Sequence, residues 1–162
     1  MTMRRTTLAA ALALVAGSPL WAGGSHSAAG EPGRAADATQ TVTIRAVETE
    51  DGRMLYEPAR IEVAKGTTVR LIIDNEGAAE HELYLGTPEE VEAHAEEMAR
   101  LPEMEHADPN AVRVDPGHRD EIHWRFTEEG TYTIACLMPG HMELGMVGVV
   151  AVLDRDLADA GS

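Results

Sequence analysis

The sequence predicts an all-β domain, a Greek-key β-sandwich carrying one short helical insertion. Three features predict it. Short segments with an apolar residue at every second position recur from Thr41 to Leu153, the spacing that lays one face of a strand on a core. Turn residues divide them into about seven or eight strands, the number a small sandwich needs. Only the stretch from Thr87 to Leu101 has helical character.

Thr41 to Val47 alternates polar and apolar residues and opens the sandwich. Met54 to Tyr56 is a short strand that ends at Pro58, and Ile61 to Val63 is another that runs into the turn Lys65–Gly66. Thr67 to Ile73 is β-branched and apolar, and Asp74–Asn75–Glu76–Gly77 closes it. Glu80 to Leu85 follows, with His81, Leu83 and Leu85 on one face. Thr87 then has the form of a helix N-cap, with Pro88 in the first helical position and Glu90 three residues past the cap. Alanines and glutamates continue the helix, and Pro102 stops it. Glu103 to Gly117, broken by Pro109 and Pro116, is expected to be a loop. Strands resume at His118 to Phe126 and at Thr131 to Ala135, and the apolar run Val147 to Leu153 ends the domain.

The ends of the chain divide differently. Arg4 and Arg5 precede an apolar, alanine-rich run from Leu8 to Val15, and small residues follow near Ala22. This is the pattern of an export signal over residues 1–22. Residues 23–40, rich in Gly, Ala and Ser, are expected to form a flexible leader. The domain then spans 41–162, with an insertion at 86–117. The apolar run is too short to span a bilayer, so no membrane insertion is expected after cleavage. Export places the protein in the periplasm.

The whole chain has 13 Lys+Arg against 28 Asp+Glu. Without Arg4 and Arg5 the balance is 11 against 28, a net of −17 with neutral histidines. Such a surface repels phosphate backbones and anionic lipid, which excludes nucleic acid as a partner. It attracts cations and basic partners.

The chemistry lies in the segment from Thr131 to Met146. It places Cys136, His141 and Met146 at spacing C-x4-H-x4-M on one loop between two strands. Cys136 is the single cysteine, so it has no internal disulfide partner. In an oxidising compartment a lone thiol is a hazard unless something occupies it. Taken singly, a cysteine or a methionine is most often a core residue. Together, a thiolate, an imidazole and a thioether suit copper, because soft sulfur favours Cu(I) and imidazole also accepts Cu(II). Two imidazoles, one thiolate and a weak thioether are tolerable to both states, so an electron can pass with little ligand movement. His81, far upstream on a strand, is the natural second imidazole. Zinc normally takes more thiolates or carboxylates and has little use for a thioether. A binuclear copper centre needs two bridging thiolates, and a multicopper oxidase needs paired His-x-His motifs; neither is present.

This arrangement resembles the cupredoxin (type 1 copper) family, which carries one ligand histidine on a central strand and Cys, His and Met on a late loop. The loop spacing is similar to that of rusticyanin and close to that of azurin. The resemblance covers Thr41 to Leu153 and implies one copper ion with His81, Cys136 and His141 as equatorial ligands and Met146 as the axial one. One residue departs from the pattern: Glu82 stands where many cupredoxins have Asn or Ser after the strand histidine. A carboxylate aimed at the metal would lower the potential, whereas strand alternation sends it to the other face.

His94, Met98, Met104 and His106 lie in the insertion, with His94 and Met98 four apart on one helix face. They are a candidate secondary copper site; the competing reading is that Met98 packs the helix and the histidines are solvated. Exported copper-tolerance cupredoxins are similar in having such residues ahead of a stretch like Asp108–Pro109–Asn110. Two functions therefore stand open. One is an electron carrier between periplasmic redox partners, with its port at His141 amid Met138, Pro139, Met142 and Leu144. The other is a copper buffer or chaperone serving copper tolerance through extra weak sites. A metal-free structural module is a third reading and leaves Cys136 without a role. With no nucleophile–base pair and no phosphate-binding glycine loop, no enzyme is expected, and the protein is expected to be a monomer.

Overall fold

The computed structural model describes residues 27–100 and 108–154. The residues at 1–22 read as an export signal, and Met104 and His106, lie outside the described residues.

Among the described residues, ten strands and one α-helix form in the order β1 (Glu31–Pro32), β2 (Gln40–Glu48), β3 (Met54–Glu57), β4 (Arg60–Ala64), β5 (Thr68–Asn75), β6 (His81–Gly86), α1 (Pro88–Arg100), β7 (Ala111–Val114), β8 (Arg119–Arg125), β9 (Gly130–Ala135) and β10 (Val147–Leu153). They build two five-stranded sheets, ordered β1-β8-β5-β2-β3 and β4-β10-β9-β6-β7. The pairs β2–β5 and β4–β10 are parallel and the remainder antiparallel. Consecutive strands repeatedly change sheet, as a Greek-key sandwich requires.

The core lies between the sheets. Ile44, Ala46, Leu71, Ile73 and Trp124 project from one sheet and meet Ile61, Val63, Leu83, Leu85, Ile134 and Val150 from the other. These are the alternate residues of the sequence pattern, since a side-chain period of two sends every second residue inward. β6 is the exception: all six of its residues are buried. The helix is the cause. Val91, His94 and Met98 lie on one face of α1 and cover the outer side of the sheet at Tyr84, Ala135 and Leu137. The helix starts where Thr87 predicts. The Glu90 amide donates to Thr87 Oγ1 (3.2 Å) and the Thr87 amide to Glu90 Oε2 (2.8 Å), a reciprocal cap.

Two expectations need correction. Residues 27–40 are not a flexible leader. Ala29 is fully buried, its carbonyl accepts from Trp124 Nε1 (3.2 Å), β1 pairs with β8, and Ala35–Asp37 forms a 3-10 turn. The Ser27 hydroxyl and the Ala28 amide both donate to Glu90 at the helix start. Small residues here allow close approach to Trp124 rather than freedom. The stretch after the helix is also not loop throughout. β7 pairs with β6 over His81↔Val114 to Tyr84↔Ala111, and its strand signal is short and hidden between prolines.

Candidate metal centre

His81 opens β6, Cys136 directly follows β9, and His141 lies on the loop between β9 and β10. β6 and β9 are neighbours in one sheet, so the strand histidine and the cysteine meet at the same end of the sandwich. The loop folds back on itself. The Cys136 amide donates to the Met146 carbonyl (3.1 Å), the His141 amide to Met138 O (3.0 Å), and the Met146 amide to His141 O (3.1 Å). Gly140 takes φ +88°, a conformation that side chains resist, and so lets Pro139–Gly140 turn tightly ahead of His141.

The result is a compact donor set. The Nδ1 atoms of His81 and His141 are 3.2 Å apart, and Cys136 Sγ is 3.3 Å from His141 Nδ1. All three donors lie within 4.8 Å of one another, comparable with about twice a metal–ligand bond of 2.0–2.3 Å. His81 and Cys136 are buried, whereas His141 is partly exposed. Met146 is fully buried at the end of the same loop and belongs to the core.

Burial keeps all three donors uncharged at pH 7 in the metal-free pocket. Burial pushes the Cys136 thiol up to about 11, against the pull of the Glu82 and Met138 amides. One of these is a direct bond, from the Glu82 amide to Sγ (3.3 Å). A buried thiol therefore stays protonated until a cation replaces its proton. Burial also lowers both imidazoles, and for His81 the neighbouring His141 adds to the effect. Both rings are thus neutral at pH 7, the form that binds a metal. The donor set fits copper.

These shifts carry a pH prediction for the metal-free protein. The folded imidazoles titrate below the usual value of about 6.5, so the folded chain binds fewer protons than the unfolded chain in that range. Stability is complete above about 6.5 and declines as pH falls through the lowered values. The denaturation midpoint in urea should drop between pH 7.5 and 5.5, and bound copper should suppress the drop. A midpoint that holds or rises on acidification would contradict the buried, neutral rings.

Glu82 departs from the copper site. Its side chain points to the outer face of β6, only 3 % exposed, with Oε1 3.6 Å from Nε of Arg113. The two residues are directly opposed across β6 and β7. The Tyr56 hydroxyl donates to the Glu82 carbonyl. Glu82 is therefore held by its carbonyl and its carboxylate while its amide faces the cysteine sulfur. Sequence reasoning missed Arg113, and it missed Asn75. That buried amide donates to Ala79 O and Val114 O (both 2.8 Å) and accepts from the Gly77 amide (2.9 Å), shaping the turn that delivers His81. The Asp74–Gly77 turn signal was the available clue.

His94 and Met98 share the inner face of α1, as expected. His94 stacks on Tyr84 with centroids 4.5 Å apart and planes at 12°, and Met98 Sδ lies 3.9 Å from an Arg113 nitrogen. Both pack the helix onto the sheet.

A β-sandwich with two histidines and one cysteine gathered at its end, one ring reaching the surface, is the architecture of a copper-binding protein. The family model described as copper binding proteins, plastocyanin/azurin family, matches residues 43–153, and the chain belongs to that family. Among curated relatives, it is 50% identical over 123 residues to the copper-resistant cuproprotein CopI of Rubrivivax gelatinosus, covering 76% of this chain and 72% of that protein. It is 32% identical to the protein of the same description from Pseudomonas aeruginosa, over 87% of this chain and 92% of that one. Among solved structures, reduced auracyanin from Roseiflexus castenholzii superposes with a TM-score of 0.60 at 25% identity, covering 72% of this chain and 98% of that one.

Proposed function

We propose that this is an exported cupredoxin of copper tolerance, holding one copper ion that cycles between Cu(II) and Cu(I) in the periplasm. The observation that carries the reading is the buried Cys136 thiol within 4.8 Å of two ring nitrogens. Bound copper supplies a one-electron couple. His81, Cys136 and His141 would hold it, and the thioether of Met146 would serve as a weak fourth donor that keeps both oxidation states accessible. The Glu82 amide donates to the thiolate and moderates its charge. Burial of His81, Cys136 and Met146 excludes water, so few solvent dipoles reorient when the charge changes. The partly exposed ring of His141, on the same loop as the exposed Leu144, is the edge through which an electron reaches a protein partner. The relatives named as copper-resistant cuproproteins support a role in copper tolerance. On this reading the protein acts as a carrier. No helix among the described residues is long and apolar enough to cross a membrane.

Copper titration tests the reading. One equivalent should produce an intense thiolate-to-copper band, and Met146→Leu should keep the copper while raising the reduction potential. Titration without such a band would overturn the assignment. Further equivalents lost on replacing Met98, Met104 and His106 would favour the buffering function.

A further inference from the structure

His81 turns Nδ1 toward Cys136 and His141, which leaves its other ring nitrogen to account for. Nε2 of this fully buried ring makes no well-formed hydrogen bond. Oε1 of Glu48, at the end of β2, stands 3.4 Å from it. Although the Glu48 side chain is 29 % exposed, Oε1 is not free to wander. The amides of Ala78 and Ala79 both donate to it, at 2.9 and 2.8 Å. A carboxylate from the opposite sheet is thus anchored by the turn that precedes His81, and it faces the back of the ring.

A second observation, independent of hydrogen bonding, marks the same spot. A Cβ placed on Gly77 would lie 2.6 Å from Glu48 Oε1 and 2.8 Å from His81 Nε2. Gly77 is not among the glycines with positive φ, so its backbone conformation is open to other residues. Space alone demands glycine here, and the space kept clear is the one between carboxylate and imidazole.

We propose that Glu48 is a positioning residue of the copper centre, its carboxylate accepting a hydrogen bond from the Nε2–H of His81. The contact fixes the tautomer that leaves Nδ1 free for the metal, and it makes the ring a stronger donor. Carboxylate–histidine–metal arrangements act in this way. The gap of 3.4 Å belongs to the metal-free ring, and such contacts tighten when the ligand is engaged. Added negative charge behind a ligand favours the more highly charged ion, so Glu48 stabilises Cu(II) more than Cu(I). The inference rests on the copper centre proposed above.

The test compares the copper-loaded wild type with Glu48→Gln and Gly77→Ala, reading the thiolate–copper band, Cu(II) and Cu(I) affinities by competition, and the reduction potential. Glu48→Gln keeps the shape of the side chain and should fold. It should retain the band, lose about 10-fold in Cu(II) affinity and change little in Cu(I) affinity. A tenfold selective loss corresponds to a potential about 59 mV higher. Gly77→Ala leaves every charge in place but wedges the pair apart, and should shift the potential in the same direction. An intact wild-type band with unchanged affinities and potential in both variants would overturn the role of Glu48 alone. Absence of the band in the wild type would overturn the copper centre itself, and this inference with it.

Discussion

Cys136→Ala abolishes the visible band of the copper-loaded protein and lowers copper affinity by well over 100-fold. That bound follows because losing only an outer partner of a metal ligand already costs about 10–100-fold, and Cys136 is the one anionic donor of the cluster. The metal-free protein should lose only about 1 kcal/mol, since alanine removes a single sulfur from a packed position. Its far-UV circular dichroism should match the wild type. Visible absorption during copper titration checks the first part, and chemical denaturation of the metal-free protein checks the second. A coloured Cys136→Ala protein would refute the site. The variant should also release fewer protons on binding copper at pH 7, because the thiol held at about 11 no longer gives one up.

Arg113→Ala should be the most damaging change away from the ligands. It strips the partner from Glu82, whose carboxylate is almost wholly buried and whose Oε2 makes no hydrogen bond. Breaking a buried pair on one side costs about 3–5 kcal/mol, and the partial exposure of Arg113 points to the lower end. The loss should appear as a lower urea midpoint with an unchanged slope. The double change Glu82→Met with Arg113→Leu should recover most of it, because an apolar pair of similar volume is often as stable as a buried ion pair. If Arg113→Ala unfolds at the wild-type midpoint, the pair contributes nothing. The thiolate–copper band of Arg113→Ala should also move, since the Glu82 amide that donates to Cys136 lies on the strand the pair holds in register.

The legible parts of the sequence were those governed by local periodicity and short-range chemistry. Thr41 to Val47 and Thr131 to Ala135 alternate as half-buried strands do, and they form β2 and β9 within a residue of their expected limits. Thr87, Pro88 and Glu90 announced the helix cap, which the hydrogen bonds reproduce. The three clustered donors were legible because two share a loop and the third sits on a strand with an inward phase. Alternation also sent Glu82 outward, where the structure places it. The illegible parts depend on distant contacts. Ala29 gave no sign that it would lie against Trp124, because small residues signal loops unless a large partner waits elsewhere. β7 has only four residues and owes its pairing to β6. Glu48 and Arg113 are ordinary surface charges in one dimension and become partners of His81 and Glu82 only in three.

The separation of the two histidines along the chain has a kinetic consequence. They are 60 residues apart, and the sandwich that unites them includes two parallel pairings between distant strands. Non-local pairing of this kind slows folding. Cys136, His141 and Met146 share one short stretch of chain, whereas His81 is brought to them by the pairing of β6 with β9. The complete donor set therefore exists only once that long-range pairing has formed, so its assembly reports on the sandwich rather than on the loop.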